Sequence, residues 1–121
     1  MRSTEDTPPL DEGERQRLVD VAWGSIRHGL AHGTAARPDL ERFTGRLRQP
    51  GAAFVTLHRL GALRGCIGHL EATQPLVLDV ADNAFAAAFR DPRFERLEER
   101  ELQGLTLDIS VLTAPQPMEF R

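Results

Sequence analysis

The sequence predicts an α+β domain, an antiparallel sheet with helices packed on one side. Three patterns carry that prediction. Leu18, Ala22, Ile26 and Leu30 recur at four-residue intervals, the apolar stripe of a helix. Two runs, one around Phe54, Val55 and Thr56 and one from Leu63 to Leu70, flank a short turn and read as a hairpin. Leu105, Leu107, Ile109 and Val111 alternate with Thr106, Asp108 and Ser110, the period of a half-buried strand. With a second helix between hairpin and last strand, the order is helix, hairpin, helix, strand, which suits helices laid against an antiparallel sheet.

Each element has its own signals. Residues 1–9, polar and proline-containing, read as a disordered tail, with the domain occupying 10–121. Asp11-Glu12-Gly13-Glu14 has the spacing of a capping box, with acids where the helix dipole favours them, and Gly33 is a stop for the same helix. Residues 34–50 form a polar connector with room for one helical turn, bounded by Pro38 and Pro50. Residues 51–58 are the first strand, Arg59-Leu60-Gly61-Ala62 the turn, and residues 63–70 the return. Pro75 suits the first position of the second helix, capped by Thr73 or Gln74. Val77, Ala81, Ala84 and Ala88 form its tight face, flanked by Val80, Phe85 and Phe89. It stops at Asp91-Pro92, because proline disfavours helix in the residue before it. A short helical turn is expected over residues 98–102, and after the last strand the chain runs into Pro115-Gln116-Pro117-Met118-Glu119-Phe120. Three strands make a thin sheet for this much apolar surface, so the domain reads as shortened.

Composition excludes several chemistries. The chain has 121 residues, room for one domain, and a formal charge of −3 without a basic face, so no nucleic-acid footprint is indicated. No stretch is long and apolar enough to span a bilayer, and the polar N-terminus lacks a signal-peptide core, so a cytoplasmic location is expected. The chain contains no lysine, which rules out a Schiff base or a P-loop lysine on it, and no tyrosine to serve as a phenolic acid. Its single cysteine cannot form an internal disulfide or a multi-cysteine metal site.

The segment Leu63-Arg64-Gly65-Cys66-Ile67-Gly68 breaks the local rules for a strand. Its two glycines weaken a strand and mark a bulge or the close approach of a backbone or ligand. Strand alternation puts Arg64 and Cys66 on one face, where a guanidinium would favour the reactive thiolate. Two readings stand: a nucleophilic cysteine with an anion-binding arginine, or a buried, inert cysteine with an arginine at the sheet edge. With a short turn, paired positions of the hairpin sum to an odd number. Cys66 then faces Val55 or Leu57, while His58 and His69 point away, and a Cys–His dyad is disfavoured. His28 and His32 have the spacing to share a metal ion, but no third ligand is evident; near a helix end they also complement its dipole, so no metal site is expected. In Phe89-Arg90-Asp91-Pro92-Arg93-Phe94, Asp91 and Arg93 can pair with each other or with Arg64 and Asp108.

These segments resemble a known family. Phe54-Val55-Thr56-Leu57, the Leu63–Gly68 string, residues 83–94 and Leu107-Asp108-Ile109-Ser110-Val111-Leu112 are similar, in order, to the AMMECR domain, whose bacterial and archaeal members are called AmmeMemoRadiSam system protein A. The resemblance covers roughly residues 10–121. It implies an α+β fold with a cleft lined by the L-R-G-C-I-G string, and further C-terminal strands and a helix that have no counterpart here. It also implies association with a Memo-type, dioxygenase-like protein and a radical S-adenosylmethionine protein. No cofactor of its own follows. Carried onto this chain, Cys66 is the candidate catalytic residue, and Thr56, Arg64, Gly65, Gly68, Asn83, Asp91 and Arg93 are candidates for substrate binding. His69 stands where the family usually has threonine. Two functions compete: an enzyme-like site built on Cys66, or a non-catalytic module whose cleft holds a peptide, nucleotide or partner protein.

Overall fold

A computed structural model of the chain describes residues 10–112. The expected tail over 1–9 and the run from Pro115 to Phe120 lie outside the described residues. Helix α1 spans Glu12–His32. Asp11 caps it through the reciprocal box with Glu14, and Gly33 ends it in a left-handed conformation at φ 79°. The connector makes two short 3-10 turns, Leu40–Arg42 and Gly45–Leu47, rather than one. Strand β1 (Pro50–Arg59) then turns through Leu60 and Gly61, both at positive φ, into β2 (Ala62–Gly68). A two-residue β3 (Gln74–Pro75) leads directly into α2 (Leu76–Phe89). Pro75 sits at the N-cap of α2, one position earlier than expected, and no side chain caps it. The first free amide, that of Leu76, is instead taken by the Gln49 carbonyl at 2.8 Å. A 3-10 turn (Glu99–Leu102) precedes β4 (Leu105–Leu112).

β1 is the central strand, pairing antiparallel with β2, β3 and β4. Ala53, Val55 and Leu57 are fully buried, and their β4 partners Val111, Ile109 and Leu107 pack against the same core. Helices α1 and α2 cover this face. They meet closely at Gly29, where a Cβ would lie 2.4 Å from the Phe89 ring. Ser25, buried in α1, donates to the Ala81 carbonyl of α2 at 2.7 Å and accepts the Ala36 amide at 3.0 Å. Both the α+β class and helices on one side of the sheet agree with the sequence reading.

Hairpin register is where the reading fails. Arg59 pairs with Ala62 and His58 with Leu63, as a two-residue turn requires. The register then slips, and Leu57 faces Gly65 while Thr56 faces Cys66. Arg64 is thus the extra residue of a β-bulge, and parity reverses beyond it. Cys66 faces Thr56, not Val55 or Leu57, and His58, two residues from Thr56, shares its face rather than opposing it. The bulge has a packing cause. It turns Gly65 toward α2, where a Cβ would lie 2.0 Å from the Ala87 carbonyl oxygen. Only hydrogen fits there.

Gly65→Ala should therefore destabilise the fold by on the order of 3 kcal/mol, since neither backbone can yield cheaply. Gly24 of α1 is the internal contrast: nothing lies within 4 Å of its missing Cβ. Gly24→Ala should stabilise by about 0.5–1 kcal/mol through helix propensity alone. Urea-unfolding midpoints of the two variants test both signs; a neutral Gly65→Ala would overturn the close approach.

Candidate functional site

β2 is the strand that carries the motif, and among the described residues its polar groups have definite partners except the buried Arg64 Nη1. Because β2 pairs with β1 through Thr56 and its neighbours, the Cys66 amide on its outer side needs another acceptor. Asp91, just past the end of α2, provides it: Oδ2 accepts the Cys66 N–H at 3.0 Å. Arg93 grips the same carboxylate from two sides, Nη2 to Oδ2 at 2.7 Å and Nε to Oδ1 at 3.0 Å, and its own amide donates to Oδ1 at 3.0 Å. Asp91 is buried, and the Arg93 hydrogen bonds hold its carboxyl well below the usual carboxylate range. Arg93 is raised in turn, first by its hydrogen bonds to Asp91 and to a smaller degree by the neighbouring Cys66 side chain. Of the pairings open to Asp91 and Arg93, the one with each other is the one made.

Arg64 is committed elsewhere. Its Nε and Nη2 form a two-pronged pair with Glu101, each at 3.0 Å, and Nη2 also donates to the Glu95 carbonyl at 2.7 Å. The guanidinium lies over the Phe94 ring, 5.6 Å from its centroid. Arg64 thereby ties the bulge to the segment that runs back from α2 to β4. Strand alternation put Arg64 beside the thiol; its guanidinium is instead committed to Glu101 and the Glu95 carbonyl, while Arg93 is tied to the Cys66 amide through Asp91. Glu101 escaped sequence reading because the pairing depends on the bulge.

Cys66 is partly exposed, and its sulfur lies 3.0 Å from the Thr56 hydroxyl on the neighbouring strand. Among the described residues no hydrogen bond joins it to a histidine. His69 turns to the helix side and meets Asp79 of α2 at 2.7 Å through Nδ1. Gly68 does not open a path to the backbone; the Phe54 ring fills the space, 2.3 Å from where a Cβ would be. Gly65 is filled by α2 in the same way. Asn83 is buried and donates to the Ala53 carbonyl at 3.0 Å and to Asp79 at 3.1 Å, joining α2 to β1. Thr56, Cys66, Asp91 and Arg93 therefore come together, while Arg64, Gly65, Gly68 and Asn83 serve packing and helix attachment. Asp79 was missed by the sequence reading. Its signal was an acid set between the apolar residues Leu76-Val77-Leu78 and Val80-Ala81, four residues before Asn83 on the same helical face.

His28 bonds the Thr34 carbonyl at 2.7 Å, and its ring lies 4.6 Å from that of His32. No group of three metal-ligating side chains forms among the described residues. No described helix is long and apolar enough to cross a membrane. An apolar cleft of about 420 Å³ opens between α1 and β4, lined by Leu18, Val19, Leu107, Ile109 and Val111. None of residues 63–68 lines it.

A one-sided antiparallel sheet, two covering helices and a bulged motif strand clamped by Asp91 and Glu101 define an α+β domain of a particular class. The chain belongs to the AMMECR1 family, whose model matches residues 19–121. It is 40% identical over 113 residues to a protein from Aeropyrum pernix, covering 90% of this chain and 48% of that one. It is 37% identical over 116 residues to a protein from Methanothermobacter thermautotrophicus, covering 92% and 57%. The crystal structure of the uncharacterized protein PH0010 from Pyrococcus horikoshii is similar at TM-score 0.78 and 31% identity, over 84% of this chain and 52% of that one. The chain spans about half the length of the curated relatives it matches.

Arg64 and Glu101 make a pH test. The Arg64 hydrogen bonds lower the Glu101 carboxyl from 4.5 to about 2. A lowered folded value means that the pair's stabilisation is complete above 4.5 and is lost as pH falls toward about 2. Arg64→Ala should cost on the order of 3 kcal/mol at neutral pH, because it strands a largely buried carboxylate. That deficit should shrink through this window as Glu101 protonates. Urea titrations of both proteins at several pH values check it; a deficit independent of pH would make Arg64 a packing residue only.

Proposed function

We propose that this AMMECR1-family chain is a binding module, and that the sheet face turned away from the helices receives a partner protein around Cys66 and Thr56. One observation carries the reading. Both helices pack on the Ala53, Val55 and Leu57 side, and the alternate positions Thr56, His58, Thr106, Asp108 and Ser110 look the other way with no described helix over them. Those side chains are short and hydrogen-bonding, with the Phe54 ring beside them, which is the composition of a polar interface with one aromatic anchor. The family resemblance supplies the occupants: a Memo-type protein or a radical S-adenosylmethionine protein. The motif's other polar side chain, Arg64, is already held through Nε and Nη2 by Glu101 and the Glu95 carbonyl, which argues against a larger catalytic constellation built on it.

A second reading keeps Cys66 as a reactive thiol. The Thr56 hydroxyl 3.0 Å from the sulfur favours it, because a hydroxyl so placed can donate to a thiolate, and Arg93 lies nearby.

Iodoacetamide alkylation of Cys66 in the folded, full-length protein tests both. On the binding reading the thiol reacts without global unfolding, and adding a purified Memo-type or radical S-adenosylmethionine partner slows it several-fold. Absence of protection by either overturns that reading. On the thiol reading, Thr56→Val and Arg93→Ala each slow alkylation several-fold at neutral pH without any partner. Rates unchanged in both variants leave Cys66 as a contact residue.

A further inference from the structure

On the opposite side of the sheet from Cys66 lies a second polar cluster that the binding reading does not use. Asp79, in the first turn of α2, has a side chain that is 0% exposed. Its Oδ2 accepts the Ala53 amide at 2.9 Å and the Asn83 amide at 3.1 Å. Its Oδ1 accepts the Gln74 amide at 3.1 Å and lies 2.7 Å from Nδ1 of His69. With donors on both oxygens the carboxylate acts as an acceptor throughout, so the His69 Nδ1 carries the proton. The neighbouring Asn83 agrees. Its two amide protons are used by the Ala53 carbonyl and Asp79, so its 3.2 Å approach to Nδ1 is not a donation.

A neutral ring protonated on Nδ1 leaves the lone pair on Nε2. The His69 side chain is 51% exposed, and among the described residues no hydrogen bond engages Nε2. A buried carboxylate that fixes the tautomer of an exposed imidazole also balances its charge once it is protonated. Gln74 extends the cluster, its amide nitrogen bridging Asp79 and Asp82 at 3.1 Å each. Apart from the imidazole, no member of the network is basic, so an anion is disfavoured.

We propose that His69, positioned by Asp79, is a proton-accepting site for a neutral or cationic ligand bearing a hydroxyl or amine. The proton of that hydroxyl or amine passes to Nε2 and leaves the ligand's conjugate base beside the ring. The ring becomes an imidazolium that keeps its Nδ1–H on Asp79, and no other bond of the chain changes. The proton returns when the ligand leaves. The site is independent of the partner surface around Cys66, since His69 faces α2 and Cys66 faces away from it.

Ring nitrogen NMR on the intact chain tests the tautomer: neutral His69 is expected to carry its proton on Nδ1, and an Nε2–H form would overturn the proposal. Diethyl pyrocarbonate, read residue by residue by mass spectrometry, tests the base. His69 should react several-fold faster than His58, and Asp79→Asn should remove that advantage while His28 and His32 keep their rates. Equal rates for His69 and His58 in the native chain would sink the idea even where Asp79→Asn does not fold. Choline, a hydroxylated cation that does not consume the reagent, should protect His69 and acetate should not. No protection by choline, or protection by acetate, would overturn the ligand class.

Discussion

The contact on which the rest depends is the approach of α2 to β2 at Gly65. The Ala87 carbonyl lies where any side chain would begin, so the helix and the strand are nearly in backbone contact. The hairpin turn alone sets a register that would point residue 65 the wrong way. The bulge at Arg64 corrects it, and three consequences follow from that one inserted residue. Gly65 meets the helix. Arg64 leaves the ladder and is anchored by Glu101. Cys66 comes opposite Thr56 on the face the helices leave open. The unusual composition of the motif is thus largely explained by packing before any ligand is invoked.

α2 is fastened to the sheet at both ends by the same device. At its start Asp79 accepts the amide of Ala53 in the central strand, and beyond its end Asp91 accepts the amide of Cys66 in the outer one. Each acid is buried and each is supported by further donors: Asn83, Gln74 and His69 for the first, Arg93 for the second. A buried carboxylate deprived of its donors is expensive, whereas a fully bonded one specifies a single arrangement of helix on strand. Apart from Asp82 and Asn83, the helix between them is alanine and apolar residues, so these two acids set how α2 sits along the strands while the small residues set how close it comes.

Local signals in the sequence were legible and long-range ones were not. The capping box at Asp11, the stop at Gly33 and the alternation from Leu105 depend on neighbours a few residues away, and each appears where the sequence places it. The glycines marked a bulge or a close approach without placing it, because its cause, the Ala87 carbonyl, lies more than twenty positions along the chain. That single miss propagated. It put Arg64 beside the thiol rather than on Glu101, set Cys66 against the wrong residues of β1, and sent His58 to the wrong face. The pairing of Asp91 with Arg93 was among the readings the sequence allowed because it is local. The pairings of Arg64 with Glu101 and of His69 with Asp79 require the fold.

Once the fold has used its donors and acceptors, few reactive atoms of the motif region remain without an internal bond that fixes them. Among the described residues the Cys66 sulfur shares only the Thr56 hydroxyl, and the His69 Nε2 has no hydrogen-bond partner. They are three residues apart in sequence, the spacing at which a Cys–His dyad is tempting to draw. The sheet prevents it: an odd separation along an extended strand puts them on opposite faces, and each is held there by a different element, Thr56 for one and Asp79 for the other. The chemistry of this chain therefore divides into two surfaces. One is a partly exposed thiol on a face without helices, suited to contact with another molecule. The other is an oriented imidazole against α2, suited to moving a proton. Neither needs the other, and one helix, through Asp79 near its start and Asp91 just past its end, positions both.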